Sequence, residues 1–82
     1  MPERLRGATN KVVGTKQTLR AIEGGKAKVV YIADDAEERV VAKVKELCAC
    51  MGIETVHVPT MKELGEICGI EVGAASAALI DQ

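Results

Sequence analysis

Apolar positions along this chain change their spacing several times, and each change marks an element. From Lys28 to Ala33 the run KVVYIA is unbroken, β-branched and aromatic, the pattern of a strand covered on both faces and so central in its sheet. Val40, Val41, Val44, Leu47 and Cys48 then recur at helical spacing, with Glu37, Glu38, Lys43 and Lys45 off that stripe. Asp35 and Glu38 have the spacing of a capping box, which predicts that the helix opens near Asp35, and Gly52 ends it. Thr55 to Val58 reads as a strand that Pro59 stops. Thr60 and Glu63 form a second capping box, for a short helix with Met61, Leu64, Ile67 and Cys68 inward. Gly69 to Gly73 is a loop, and Ala74 to Ile80 a closing strand of small residues against which a helix can pack closely.

Nearer the start, residues 3–8 read as a short helical turn carrying Arg4 and Arg6, and Lys11 to Val13 as a brief strand. A helix follows from Gly14, which Gly24 and Gly25 are expected to end in the left-handed conformation. Strands alternating with helices at this spacing predict an α/β fold: a three-layer α/β/α sandwich, with about four strands in one mixed sheet and helices on both faces. Its 82 residues are expected to form a single domain, 1–82, with a small core.

The stretch GTKQTLRAIEGG, Gly14 to Gly25, carries the most chemistry. At roughly 100 degrees per residue, Leu19 and Ile22 fall on one side of the helix and Lys16, Gln17 and Arg20 gather on the other. A helix beginning at Gly14 and Thr15 also presents unpaired backbone N–H groups and the positive end of its dipole, which attract phosphate. Two long cations, an amide and a backbone anion site suit a nucleic acid better than a small apolar ligand. The net charge of −1 conceals this: residues 1–28 hold seven Lys or Arg against two Glu, a local +5, and the remaining 54 residues carry −6. A basic end of that kind steers an anionic partner even on a slightly acidic molecule.

Composition narrows the partner further. With no Trp, no Phe and one Tyr, base stacking on aromatic platforms is nearly excluded. No apolar run has the length of a membrane span, and MPERLRGA lacks the apolar segment of a signal peptide, so a cytoplasmic location without membrane association is expected. Three cysteines, an odd count, fit free thiols in a reducing compartment.

Other candidate chemistry is thin. Neither glycine-rich nucleotide fingerprint is present, and Gly14-Thr15-Lys16 lacks the upstream glycine of a phosphate-binding loop. Asp34-Asp35 at a strand end has the type and place to hold Mg²⁺, but helix capping accounts for the pair more simply. Cys48, Cys50, Cys68 and His57 have poor zinc spacing, and two of the cysteines sit on apolar helix stripes. His57, alternating with Val56 and Val58, reads as an exposed strand residue, and no activated nucleophile or acid–base pair is visible. The expectation is a non-enzyme without metal or cofactor. In the Gly69–Gly73 loop, Ile70 and Val72 either plug one end of the core or offer an apolar surface for an unstacked base.

GTKQTLRAIEGG followed by LGEICGIEVGAA, with VVYIADDA between them, resembles the ribosomal protein L7Ae family of kink-turn RNA-binding proteins, most closely its short bacterial, YbxF-like branch. The resemblance covers essentially the whole chain. It implies an α/β/α sandwich that binds the kink-turn, an RNA bend built on tandem sheared G·A pairs beside a bulge, in a ribosome-associated or ribosomal-protein-like setting. The family's G-x-N-E-x-x-K segment sets Asn, Glu and Lys against guanine edges; here those positions are Lys16, Gln17 and Arg20, all three departing from the pattern. The later loop, which shields an extruded base, falls on Ile70, Glu71 and Val72, with Gly73 following. The expected RNA-binding set is thus Gly14, Thr15, Lys16, Gln17, Arg20, Ile70, Glu71, Val72 and Gly73, on a protein that is a monomer when free. The competing expectation is a protein-interaction adaptor within a ribonucleoprotein particle, using the acidic face of residues 34–66, with weak, general RNA affinity.

Overall fold

A strand can be apolar at every position only when both faces are covered, and residues Val29 to Ala33 are all buried. The computed structural model, which describes residues 10–80, places them in strand β2 (Ala27–Ala33), inside a four-stranded sheet. The helical turn expected over residues 3–8, with Arg4 and Arg6, lies outside the described residues. Strand β1 (Lys11–Val13) pairs antiparallel with β4 (Ser76–Ile80), which pairs antiparallel with β2, which pairs in parallel with β3 (Glu54–Val58). The order is β1-β4-β2-β3, a mixed sheet as expected.

Alternation along β2 divides the core in two. Val30 and Ile32 face helices α1 (Thr15–Glu23) and α2 (Glu38–Met51), with Ile22, Val41, Val44, Cys48 and Ala78. Val29, Tyr31 and Ala33 face helix α3 (Met61–Cys68), with Leu64, Ile67 and Cys68. Helices therefore lie on both faces of the sheet, and the three-layer α/β/α sandwich is the observed architecture. The small residues of β4 serve the close packing their size allows, since Ala77 is buried on one face and Ala78 on the other.

Several boundaries differ from the sequence reading, each for a local reason. The capping box at Asp35 does not form: a turn closed by Ala36 N–H donating to the Ala33 carbonyl delays the helix, and α2 begins after Glu37 with no side-chain cap. Asp35 instead accepts from the backbone N–H of Met61 at 2.7 Å and caps the first turn of α3. Thr60 does cap α3 as expected, accepting from Glu63 N–H at 3.0 Å. Of the stripe on α2, Val40 is 40% exposed while Val41, Val44 and Cys48 are buried, so the inward face is narrower than the pattern implied. At the end of α1 Gly24 remains right-handed (φ −81°), and only Gly25 turns left-handed (φ 71°). Strand β4 starts at Ser76, later than Ala74, because Ala74 N–H is bonded to the Met61 carbonyl of α3.

Candidate functional site

Strands β1, β2 and β3 run in one direction and β4 in the other, so the ends of the first three and the start of the fourth meet at one end of the sheet. In open α/β sheets ligands gather at the carboxyl ends of parallel strands, where the connections diverge. Here that end collects the start of α1, the Asp34–Glu37 turn, the Pro59–Thr60 link and the Gly69–Ala75 loop. The two stretches singled out in the sequence, more than forty residues apart, thus share one rim.

Ser76 makes the join. Its carbonyl accepts the Gly14 N–H at 2.9 Å, and its hydroxyl lies 3.1 Å from the Thr15 hydroxyl. Ser76 is fully buried, so the bond that fixes the start of α1 is also fixed to the end of the Gly69–Ala75 loop. Gly14 adopts φ 98°, ψ 150°, a conformation L side chains rarely take, which lets the chain leave β1 and enter the helix in one residue. The N–H groups of a helix's first turn have no intrahelical partner, and no side chain caps them here, so they remain available together with the positive end of the dipole.

Along α1, Ile22 is buried and Leu19 half-buried, as the periodicity predicted, together with buried Thr18 and Ala21, while Lys16, Gln17 and Arg20 are exposed. Among the described residues neither Lys16 nor Arg20 pairs with a carboxylate, whereas Arg39 and Lys45 on α2 are tied to Glu37 and Glu38 at 2.9 and 3.0 Å. An uncommitted cation needs no exchange of partners to meet a phosphate or a guanine edge.

The loop residues divide. Ile70 is half-buried and packs on the α3 side of the core, which answers the question of a plug for that residue. Val72 is 70% exposed, the most exposed large hydrophobic side chain among the described residues, and Glu71 and Gly73 are exposed beside it. The loop is held against α3 by Ile70 N–H donating to the Gly65 carbonyl at 3.0 Å and by Ala74 N–H donating to the Met61 carbonyl at 3.0 Å. It comes so near the helix that a Cβ on Gly65 would collide with the Val72 carbonyl and lie 3.2 Å from Gly73 Cα.

Sequence reasoning missed Ser76, Thr18 and Gly65. Only Gly65 left a usable signal, because an isolated glycine within a helical pattern marks a close approach. The remaining candidates are dispersed. His57 is exposed on β3 as expected, and its Nδ1 lies 2.8 Å from Asp34 Oδ1. Cys48 and Cys68 lie on opposite faces of the sheet while Cys50 is exposed, and among the described residues no group of three or more His, Cys, Asp or Glu is arranged to hold a metal ion. Burial pushes both inner thiols above their ordinary range, opposed in part by a Thr55 hydrogen bond at Cys48 and by the Lys11 charge at Cys68. Among the described residues, no helix is long and apolar enough to cross a membrane.

A family model described as the ribosomal protein L7Ae/L30e/S12e/Gadd45 family matches residues 3–82. An RNA-binding protein of Caldanaerobacter subterraneus subsp. tengcongensis is 60% identical over 68 residues, 83% of this chain and 83% of its own. One from Halalkalibacterium halodurans is 49% identical over 77 residues, 94% of each chain. The large ribosomal subunit protein eL8 of Halobacterium salinarum is 47% identical over 68 residues, which make up 82% of this chain and 57% of that protein. Among solved structures, the Giardia lamblia 15.5kD RNA binding protein superposes with a TM-score of 0.86 at 23% identity, covering 99% of this chain and 68% of the other, a likeness of fold.

Proposed function

This chain belongs to the ribosomal protein L7Ae/L30e/S12e/Gadd45 family, and on that premise we propose that it is a non-enzymatic RNA-binding protein that recognises kink-turn RNA through the start of α1 and the Gly69–Ala75 loop. The observation that carries the reading is the Ser76 junction, which holds the uncapped, cationic helix start and the exposed Val72 on one rim. The N–H groups of the first turn from Thr15 onward take a phosphate, while Gly14, whose own N–H is held by the Ser76 carbonyl, shapes the approach to them. Lys16, Gln17 and Arg20 meet the base edges of the sheared G·A pairs, where Lys16 and Arg20 donate to guanine O6 and N7 and Gln17 both donates and accepts. Ile70, Glu71, Val72 and Gly73 cover the extruded base, with Val72 as the apolar contact.

Regular A-form RNA keeps its major groove too deep and narrow for side chains, so the sheared pairs are what make these contacts reachable. Recognition is accordingly of a shape with a few base contacts, in a cytoplasmic, ribosomal-protein-like role, by a monomer. The test is a titration at fixed, near-physiological salt with a kink-turn RNA and with the same RNA carrying Watson–Crick pairs in place of the G·A pairs. Strong preference for the kink-turn is expected. Equal binding to both, or to neither, refutes the reading and turns attention to a protein partner for the acidic face. Arg20→Ala is expected to weaken binding by roughly 1 to 3 kcal/mol, and an unchanged affinity removes Arg20 from the contact.

A further inference from the structure

Beyond the first turn of α1 the chain forms a second feature with the same chemistry. Gly25 N–H donates to the Ile22 carbonyl and Lys26 N–H to the Ala21 carbonyl, at 3.0 and 2.9 Å, so the chain folds back and carries Lys26 alongside the last turn of the helix. Between this turn and strands β1 and β4 lies an open concavity of about 260 Å³. Val12, Ala21 and Ile80 supply its apolar side chains, and Gln17, Arg20 and Lys26 its polar and charged ones. Arg20 and Lys26 are exposed and, among the described residues, neither has a carboxylate partner.

The concavity between α2 and β3 differs in this respect. It is larger, about 340 Å³, but its cation Lys45 is already bonded to Glu38 and its His57 to Asp34. An arriving anion would there have to displace a carboxylate.

We propose that the concavity formed by Val12, Gln17, Arg20, Ala21 and Lys26 is a seat for one phosphate–ribose unit of the RNA strand leaving the α1 site. This rests on the RNA reading above and extends its footprint to Lys26, a residue the sequence motif does not reach. Gln17 and Arg20 belong to both places, which makes the two surfaces continuous. The helix rises about 1.5 Å per residue, so Gln17 and Gly24 lie about 10 Å apart along its axis, and the concavity extends the cationic face toward the end of α1. Lys26 and Arg20 hold the phosphate as charge-assisted donors, and the apolar floor takes the C–H face of the ribose. The volume lies below that of pockets for drug-sized ligands, in keeping with a single sugar–phosphate unit.

The test uses the full chain and a kink-turn RNA, titrated over a salt series with wild type, Lys16→Ala and Lys26→Ala. Lys26→Ala is expected to lose roughly three- to tenfold in affinity and to reduce the slope of log K against log salt by about 1, leaving the preference over the Watson–Crick control intact. Neutral methylphosphonates placed singly along the RNA should then reveal one position that weakens wild type and has no further effect on Lys26→Ala. If wild type binds the kink-turn selectively and Lys16→Ala weakens it while Lys26→Ala changes neither affinity nor slope, the seat is refuted and the α1 site stands. If wild type shows no RNA preference, the reading beneath it falls as well.

Discussion

Replacing Gly65 by alanine separates two physical accounts of α3 by sign. On helix propensity alone, Gly→Ala in the interior of α3 (Met61–Cys68) should stabilise by about 1 kcal/mol. The packing predicts the opposite. The new Cβ would fall on the Val72 carbonyl oxygen and lie 3.2 Å from Gly73 Cα, both of them backbone that no rotamer change can move aside. Either the loop stays and the site is overpacked, at about 1 to 3 kcal/mol, or it lifts and strains the Ile70–Gly65 and Ala74–Met61 hydrogen bonds, each worth about 1 kcal/mol. These are alternatives and do not add, so after the propensity gain of about 1 kcal/mol the net loss is about 0 to 2 kcal/mol. Urea unfolding followed by far-ultraviolet circular dichroism reads that difference as a lower midpoint at constant slope. The same variant should bind kink-turn RNA more weakly, because the segment that moves carries Val72. A midpoint above that of wild type, the gain expected from propensity alone, would show that the loop does not rest on α3 as described.

Other consequences concern single groups. Asp35→Asn leaves an acceptor but removes the charge beside the start of α3, and Asp35→Ala removes the bond to Met61 N–H altogether; losses of about 0.5 and 1 kcal/mol are expected in the same unfolding assay, and equal stability of all three proteins would contradict the cap. Thr18 is fully buried and its hydroxyl has no hydrogen-bond partner among the described residues. Thr18→Val, similar in shape, should therefore raise stability by about 1 kcal/mol, and a loss would reveal a bond to that hydroxyl. Cys50 should alkylate rapidly in the native protein while Cys48 and Cys68 react only on unfolding, as mass spectrometry of timed iodoacetamide labelling would read. Since burial raises both inner thiols above their ordinary value of 9.0, the protonated form is favoured in the folded state. Their contribution is fully present below about pH 9 and is lost as pH rises through the folded values, so stability should decline on the alkaline side and decline less in Cys48→Ala or Cys68→Ala.

Where the sequence announced the fold, it did so through periodicity that tertiary packing left intact. The run Val29 to Ala33 has to be a central strand because nothing in it tolerates water, and Lys16, Gln17 and Arg20 have to share a face because helical geometry places them there. Beyond boundary shifts at Val40, Gly24 and Ala74, what the sequence misled on or hid were short polar residues, whose hydrogen-bond partners are chosen by the fold as a whole. Asp35 and Glu38 have capping-box spacing, yet the strand order brings the start of α3 within reach of Asp35, and a bond across 26 residues displaced the local one. Ser76 was unreadable for the same reason: a serine among alanines carries no pattern, and its role exists only because β4 lies between β1 and β2. The candidate site was therefore legible as two separate halves and illegible as a junction.

That junction bears on how the departures at Lys16, Gln17 and Arg20 act. Asn and Glu, which the resemblance implies at the first two positions, accept hydrogen bonds from bases; Lys16 donates only, and Gln17 has lost the negative charge. Under the proposed reading binding energy thereby shifts from base edges toward phosphate, which by itself would favour any polyanion and steepen the salt dependence. Selectivity for a bend must then come from shape, and shape requires the two contact surfaces to stay at a fixed distance. A straight duplex meets the cationic face of α1 equally well, but it offers no extruded base to Val72. The 2.9 Å bond from Gly14 N–H to the Ser76 carbonyl and the approach of the loop to Gly65 set that distance. On the proposed kink-turn reading, discrimination in this chain rests on the rigidity of a rim whose candidate contact residues are more general than those the resemblance implies. Loosening the rim at Gly65 should consequently erode the preference for the kink-turn over its Watson–Crick control more than it erodes affinity for the control itself.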